Sequence, residues 1–437
     1  MTYEETINYL YQVAPLFQQN GAGAYNPGLQ TTETLDAHFN HPHRCYKTIH
    51  VAGTNGKGSV SHTLAAVLQA AGMKVGLYTS PHLMDFRERI RVNGEMIPEK
   101  RVIDFVEQER SFFEPLYPSF FELTTALAFQ WFAEERVDVA VIEVGLGGRL
   151  DCTNIITPEV SIITNISLDH TDLLGHSLKE IAKEKAGIIK KGVPVVIGEA
   201  VAETRPVFEK TAAEVGAPLY FAEVEKPIIS SAMTEDSLMR YETRDFGVLL
   251  SKLVGDCQQK NAATILTALK HLSLPVAQKD VAAGFRHVTS MTGLMGRWQT
   301  LQTSPCVVCD TGHNVGGWQY LSQRLERIAD SPEADLHIVF GMVGDKDISG
   351  VLSMLPHRAQ YYFCQASVKR ALPAAEMRKR AAQFGLRGEA FDSVSEAYQV
   401  ALEVAHDTSF VFVGGSSFVV ADLLVFLRDS GVFGITV

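Results

Sequence analysis

His50-Val51-Ala52-Gly53-Thr54-Asn55-Gly56-Lys57-Gly58-Ser59 decides how the first half of this chain is read. A short apolar run leads into a glycine-rich turn, and Val60 to Ala71 then reads as a helix. A glycine turn between strand and helix lets backbone N–H groups close on a phosphate, at a helix end whose dipole favours an anion. Lys57 is placed to add a point charge on the β/γ-phosphates, and Ser59 a hydroxyl for Mg2+. The stretch departs from the usual phosphate-loop spacing in two ways. Gly58 intervenes between Lys57 and the hydroxyl residue, and Val51 stands where an earlier glycine is usual.

Working outward, residues 47–53, 74–79, 137–143, 159–164 and 193–198 are short, Val/Ile-rich and bounded by turn residues. Helical patterns lie between several of them: Lys57 to Ala71, Phe120 to Glu135 and Leu178 to Lys190. Strands alternating with helices predict a parallel sheet covered on both faces. Ligands in such sheets lie beyond the carboxyl ends of the strands, where Gly53, Glu143 and Asn165 fall. From about Lys226 to Leu253 the pattern shifts to short alternating runs, read as antiparallel strands, before helices at Cys257 to Leu272 and Lys279 to His287. Ser290 to Gly296 is small and polar and reads as a linker. Strands at 306–310, 336–341, 360–364 and 409–413 follow, with a last helix at 416–428. The expected fold class is α/β: a P-loop parallel-sheet ATPase domain over 1–292, and a smaller Rossmann-like α/β domain over 293–437, with a cleft between them.

The chain of 437 residues is 46% hydrophobic and 20% charged, as an ordinary globular protein is, and its length calls for two cores. A net charge of −11 argues against nucleic acid or an acidic membrane as partner, but not against small anions bound in a locally basic cleft. Met1 to Thr6 lacks a basic segment followed by a long apolar one, so no secretory signal is expected and the location is read as cytoplasmic. The six cysteines form no disulfide framework; Cys306 and Cys309 sit three apart on a strand, hence on opposite faces, and read as core residues.

Asp138 to Glu143 is an apolar strand ending in an acid, and a carboxylate at a strand tip beside a phosphate loop is a common holder of nucleotide-bound Mg2+. Val144-Gly145-Leu146-Gly147-Gly148-Arg149 after it reads as a tight approach to ligand. Ser167-Leu168-Asp169-His170-Thr171 follows another strand and brings His170 towards the same place, although magnesium prefers oxygen ligands. Lys185 has small and apolar neighbours in Ala182, Ala186 and Ile189, but spacing alone favours an ordinary surface lysine.

The phosphate loop resembles that of the Mur ligase superfamily, ATP-dependent enzymes that join an amino acid to a carboxylate. Tyr78 to Leu83, Glu88 to Gly94, Ser119 to Glu122, Glu143 to Asn154, Ser167 to Thr171 and Glu184 to Gly187 follow in order, and together they resemble the folylpolyglutamate synthase/dihydrofolate synthase family over nearly the full chain. The resemblance implies that Thr54, Asn55, Gly56, Lys57, Gly58 and Ser59 bind ATP. It implies that Ser59, Ser80, Glu143, His170 and Lys185 hold two Mg2+ ions, with Lys185 carbamylated, and that Lys57, Lys185 and His170 are catalytic. Ser80, Pro81, Phe120, Phe121, Glu122 and Asp151 match substrate positions around the pterin. In the second half, Asn261 matches a position by the adenine, Arg297 one by the phosphates, and Asp310 and His313 ones at the ribose–phosphate side. Thr311, Gly312 and Val315 depart from the family's Asp-Gly-Ala-His-Asn-Pro, and Trp298-Gln299 from its aliphatic–acidic pair.

The implied reaction is addition of L-glutamate to dihydropteroate or reduced folate through an acyl phosphate, by a monomer with no nucleic-acid or membrane partner. A peptidoglycan Mur ligase carries an extra N-terminal domain, whereas about fifty residues precede the loop here. A regulatory P-loop NTPase has no use for the second α/β domain, nor a folate-binding protein for Glu143, His170 and Lys185 together.

Overall fold

Strand β1 (Lys47–Ala52) is buried along all but its first residue, because it has a parallel neighbour on either side. The computed structural model describes residues 1–13, 28–331 and 335–431, which divide into two compact units, Met1–Leu294 and Met295–Val437. In the first unit β1 joins β2 (Val75–Tyr78), β3 (Ile90–Val92), β4 (Glu95–Met96), β5 (Val139–Glu143), β6 (Val160–Ile163), β7 (Val195–Ile197) and β8 (Leu219–Phe221) in one sheet, ordered β4-β3-β2-β5-β1-β6-β7-β8. Every pairing from β2 to β8 is parallel; β3 and β4 add an antiparallel edge.

The period-two alternation of the strands splits the core. Val139 and Val141 of β5 face the same layer as Ile49 and Val51, packed on Val60 and Leu64 of the helix Lys57–Ala70. Ala140 and Ile142 face the opposite layer, against Phe129 and Phe132 of the helix Phe120–Glu134. Glu143 continues the odd-numbered row, so its carboxylate emerges on the face of the phosphate-loop helix. The register places Glu143 beside Val51, two residues before Gly53.

Behind that helix lie the helices Asp256–His271 and Gln278–Thr292, and a three-stranded antiparallel sheet of β9 (Ile228–Met233), β10 (Met239–Thr243) and β11 (Val248–Ser251). The expected linker is shorter than the sequence suggests, because Ser290-Met291-Thr292 is the last turn of a helix capped by Gly293 at φ 68°. Thr292 is fully buried and accepts a hydrogen bond from His62 Nδ1 at 2.8 Å, a tertiary contact that overrides the weak helix propensity of serine and threonine.

The second unit carries β12 (Gln299–Thr303), β13 (Cys306–Asp310), β14 (Leu336–Phe340), β15 (Gln360–Cys364), β16 (Gly388–Phe391) and β17 (Phe410–Gly414), ordered β12-β13-β17-β14-β15-β16. Only β12 is antiparallel to its neighbour. Trp318, Phe340 and Phe412 pack edge to face at the centre of its core. Cys309 is buried, Cys306 half-buried, and both are free thiols. Among the described residues no helix is long and apolar enough to cross a membrane.

Candidate active site

The turn after β1 is forced by its surroundings. Gly53 has φ 145°, and a Cβ there would lie 1.8 Å from Thr164 Oγ1; Gly56, at φ 83°, ends the turn and starts the helix. The segment after β6 clamps the turn from the side. Asn165 accepts from Thr54 N through its backbone carbonyl (3.0 Å) and from Asn55 N through its side chain (2.9 Å), while Thr164 Oγ1 donates to Asn55 O at 2.6 Å. Thr54 Oγ1 donates to Ser167 O and accepts from Ser167 N. These ties, absent from the motif itself, leave the first turn of the Lys57–Ala70 helix at the mouth of the sheet, Lys57, Gly58 and Ser59 included.

Two ammonium groups converge on one carbonyl. Lys57 Nζ donates to Gly53 O at 3.1 Å and Thr54 O at 3.2 Å, and Lys185 Nζ donates to Gly53 O at 3.0 Å. Lys185 is 4% exposed, so the surface reading that spacing favours does not hold. Burial, then the charge of Lys57, pushes its ammonium down to about 7, with Asp169 and Asp151 opposing the shift. The helix that carries it runs Leu178–Ala186 and stops short of the expected Lys190. Its last carbonyls are taken over: Arg149 N donates to Glu184 O, and Asn154 Nδ2 to Gly187 O.

The glycines at 145–148 let the loop pack closely on the protein. A Cβ on Gly148 would meet the carbonyls of Glu184 and Lys185 at 2.9 and 3.0 Å, and one on Gly145 would enter the Phe121 ring at 2.4 Å. Asp151 holds this loop in shape. Its Oδ2 accepts from Gly145 N (3.0 Å) and Leu146 N (2.9 Å), and its Oδ1 from Thr153 N (3.0 Å) and the Thr153 hydroxyl. Burial pushes the Asp151 carboxyl above its ordinary range against those hydrogen bonds.

Glu143 is 3% exposed and its Oε2 accepts from Ser80 N at 3.2 Å, tying the end of β2 to that of β5. Pro81 beyond it is exposed. His170, at φ 50°, starts a short helix Thr171–Leu174, and its backbone N–H donates to buried Asp169 at 2.9 Å. Phe121 stacks on Tyr78 with ring centroids 5.6 Å apart. Phe120 turns inward instead, onto Tyr11 and Phe86. Glu122 closes a capping box with Ser119 and accepts from Thr32 at 3.3 Å. The S-x-x-E spacing is itself a helix-start signal, which accounts for Glu122 by local structure.

Asn261 lies against the loop: a Cβ on Gly56 would fall 2.3 Å from its Oδ1. Its neighbour Gln258, which the sequence reading passed over, donates to Ser59 Oγ at 3.2 Å. Gln258 is legible only through its i, i+3 spacing to Asn261 on one helix face.

In the second unit Asp310 ends β13 and accepts from Trp298 N (2.7 Å) and Gly312 N (2.8 Å). Its carboxyl is pushed upward by loss of water, with Arg297 pulling it back. Thr311 pins the turn by donating to Gly296 O through both N–H and hydroxyl, and His313 Nδ1 lies 3.1 Å from Thr311 O. Asn314 caps the helix that starts at Val315. Gln299 Oε1 accepts from Gly296 N at 2.7 Å, and the Trp298 indole lies under the Arg324 guanidinium at 3.9 Å.

Ser59, Ser80 and Glu143 are oxygen-bearing side chains at or beyond the ends of β1, β2 and β5, a donor type that suits a hard divalent cation. Among the described residues no three His, Cys, Asp or Glu side chains converge as ligands.

Two family models match the chain: the Mur ligase middle domain over residues 51–268 and the Mur ligase glutamate ligase domain over 296–417. Folylpolyglutamate synthase of Lacticaseibacillus casei is 33% identical over 426 residues, 95% of this chain and 96% of that protein. The structure of Escherichia coli FolC in complex with DHPP and ADP superposes with a TM-score of 0.84 at 32% identity, covering 99% of both chains. Bifunctional folylpolyglutamate synthase/dihydrofolate synthase from Yersinia pestis, complexed with AMPPNP and Mn ion, gives 0.81 at 30% identity and 98% coverage of each.

Proposed function

The chain belongs to the folylpolyglutamate synthase/dihydrofolate synthase family of Mur ligases, and from that premise we infer that it is an ATP-dependent ligase adding L-glutamate to dihydropteroate, to reduced folate, or to both. The observation that carries this reading is the convergence of Lys57 and Lys185 on the Gly53 carbonyl, at strand ends that also present Glu143.

In this reading the substrate carboxylate takes the γ-phosphoryl group of ATP, forming an acyl phosphate and ADP. The glutamate amine then attacks the carbonyl carbon, the C–O bond to phosphate breaks, and the amine gives up a proton as the amide forms. Phosphoryl transfer asks the protein chiefly for positioning and for charge neutralisation. Thr54 and Asn55 hold the turn through their N–H bonds to Asn165, and the N–H groups of Gly56 to Ser59 with the Lys57 ammonium receive the phosphates, once Lys57 leaves the carbonyls it caps. Ser59, Ser80, Glu143 and His170 would hold a divalent cation, whose chemistry is to neutralise charge on the phosphates. Lys185, as its carbamate, would supply the oxygen for a second ion. Phe121 offers a ring to the pterin beside Ser80 and Pro81, with Phe120, Glu122 and Asp151 fixing that wall from behind. Asn261 backs the loop, and Arg297, Asp310 and His313 are the residues of the ligase domain that this reading assigns to nucleotide binding.

The domains of this reading are 1–292 for ATP and folate and 293–437 for ligation, in a cytoplasmic monomer acting on small molecules only. Phosphate release by the purified protein with MgATP and glutamate, comparing dihydropteroate with tetrahydrofolate, tests it. Release dependent on both glutamate and one of these acceptors is the expected result. Hydrolysis indifferent to both would mark a P-loop NTPase instead.

A further inference from the structure

The helix Asp256–His271 packs its apolar face into the core through Ala262, Ile265 and Leu266, yet its first turns bring two amides into the same contact. Gln258 and Asn261 are each 7% exposed, and Ser59, which Gln258 reaches, is 1% exposed. Asn261 Nδ2 donates to Gln258 Oε1 at 3.0 Å, and Gln258 Nε2 donates to Ser59 Oγ at 3.2 Å. In this arrangement the Gln258 oxygen is engaged by Asn261, so its amide presents N–H to the serine. The helix starts at Gly255 without a side-chain cap, so the Gln258 amide is spent on Asn261 and Ser59 and not on its own helix end.

A serine hydroxyl has one proton and two lone pairs. Gln258 occupies one lone pair from the protein side and excludes the rotamer in which the Ser59 proton points back into the core. The second lone pair and the proton are left to the phosphate side. A cation needs the lone pair, and an oxygen already oriented as acceptor presents it without reorganising. Partners of this kind, one step behind a ligand, tune metal affinity by about 10–100-fold.

We propose that Gln258 is a positioning residue for the nucleotide-bound cation, acting through Ser59 with its amide set by Asn261. The inference rests on the reading of Ser59 as a ligand of that cation, and the test separates the two. ADP affinity of the full chain is measured by calorimetry with and without Mg2+, for wild type, Ser59→Ala, Gln258→Leu and the double variant.

Ser59→Ala is expected to lose about tenfold of the gain that Mg2+ brings to ADP binding. Gln258→Leu should lose a similar share while metal-free ADP affinity stays within about twofold of wild type, and the double variant should be no worse than the weaker single one. The inference is overturned if Gln258→Leu weakens ADP equally with and without Mg2+, if it leaves the Mg2+ gain intact, or if the two losses multiply. A wild-type Mg2+ gain in Ser59→Ala overturns the ligand reading, and this inference with it. Should Gln258→Leu fail to fold, Gln258→Met, unbranched and without a donor, carries the same comparison.

Discussion

Lys185 shows what burial does to one side chain. Its ammonium is held near 7 rather than in the usual lysine range, by burial first and the Lys57 charge second. The neutral amine therefore predominates above pH 7 and the ammonium below, and only the neutral amine adds carbon dioxide. Enzyme stripped of carbon dioxide should regain activity with bicarbonate, with recovery rising as pH increases through about 7; recovery that falls across that window would contradict carbamylation. Lys185→Ala should lose roughly 100-fold or more in kcat and be partly rescued by a short carboxylic acid, whereas Lys185→Arg, always protonated, should not recover. Asp151 makes a different forecast. Its oxygens accept from three backbone N–H groups and a hydroxyl, so Asp151→Asn turns an NH2 group towards donors. A loss of about 2–3 kcal/mol in unfolding free energy is expected, with lower activity through the displaced loop. A purely substrate-binding Asp151 would raise KM and leave stability alone.

The turn between β1 and its helix tests geometry at the scale of an element. Ala at position 53 must adopt φ 145° and push its methyl into Thr164, whose backbone nitrogen lies 3.1 Å away as well as its hydroxyl. Gly53→Ala should cost about 3 kcal/mol or more, seen as a lower urea midpoint with unchanged slope. Gly72→Ala is the control: φ is 84° but nothing lies within 4 Å, so strain alone predicts about 1–2 kcal/mol. Equal midpoints for the two variants would remove the steric argument. What was legible in the sequence follows the same division. The phosphate loop and the strand-end positions of Glu143 and Asn165 could be read because a glycine turn and an apolar run are local signals. The end of the helix at Thr292, the docking of Gly148 on the lysine helix and the burial of Lys185 could not. Each depends on a partner remote in sequence: His62, 230 residues away, for Thr292, and the Gly53 carbonyl, 132 away, for Lys185. Glu122 shows the converse, a residue matched to a substrate position that also closes a capping box with Ser119.

At the scale of the whole molecule, each unit has its own sheet and core, and each ends a parallel strand in a loop rich in polar anchors. The ligase reading requires one nucleotide to be felt by both, through Thr54 to Ser59 in the first and Arg297, Asp310 and His313 in the second. A regulatory NTPase would need only the first. Hydrogen exchange of the intact chain with and without MgADP distinguishes them. Protection is expected over residues 53–59 and, in the same experiment, over 296–314. Arg297→Ala should weaken ADP about tenfold, the scale of one lost hydrogen bond to a charged group, and abolish protection of the second segment while sparing much of the first. Asp310 makes the variant informative in a second way. Arg297 is the main charge pulling the Asp310 carboxyl down against its loss of water, so removing it should leave that carboxyl titrating still higher. The bonds from Trp298 N and Gly312 N that favour its ionised form then weaken at a higher pH than in wild type. Exchange at Gly312 in the ADP-free variant should accordingly accelerate on acidification before the wild type does, after correction for intrinsic exchange. Protection confined to 53–59 in wild type would remove Arg297, Asp310 and His313 from the nucleotide site.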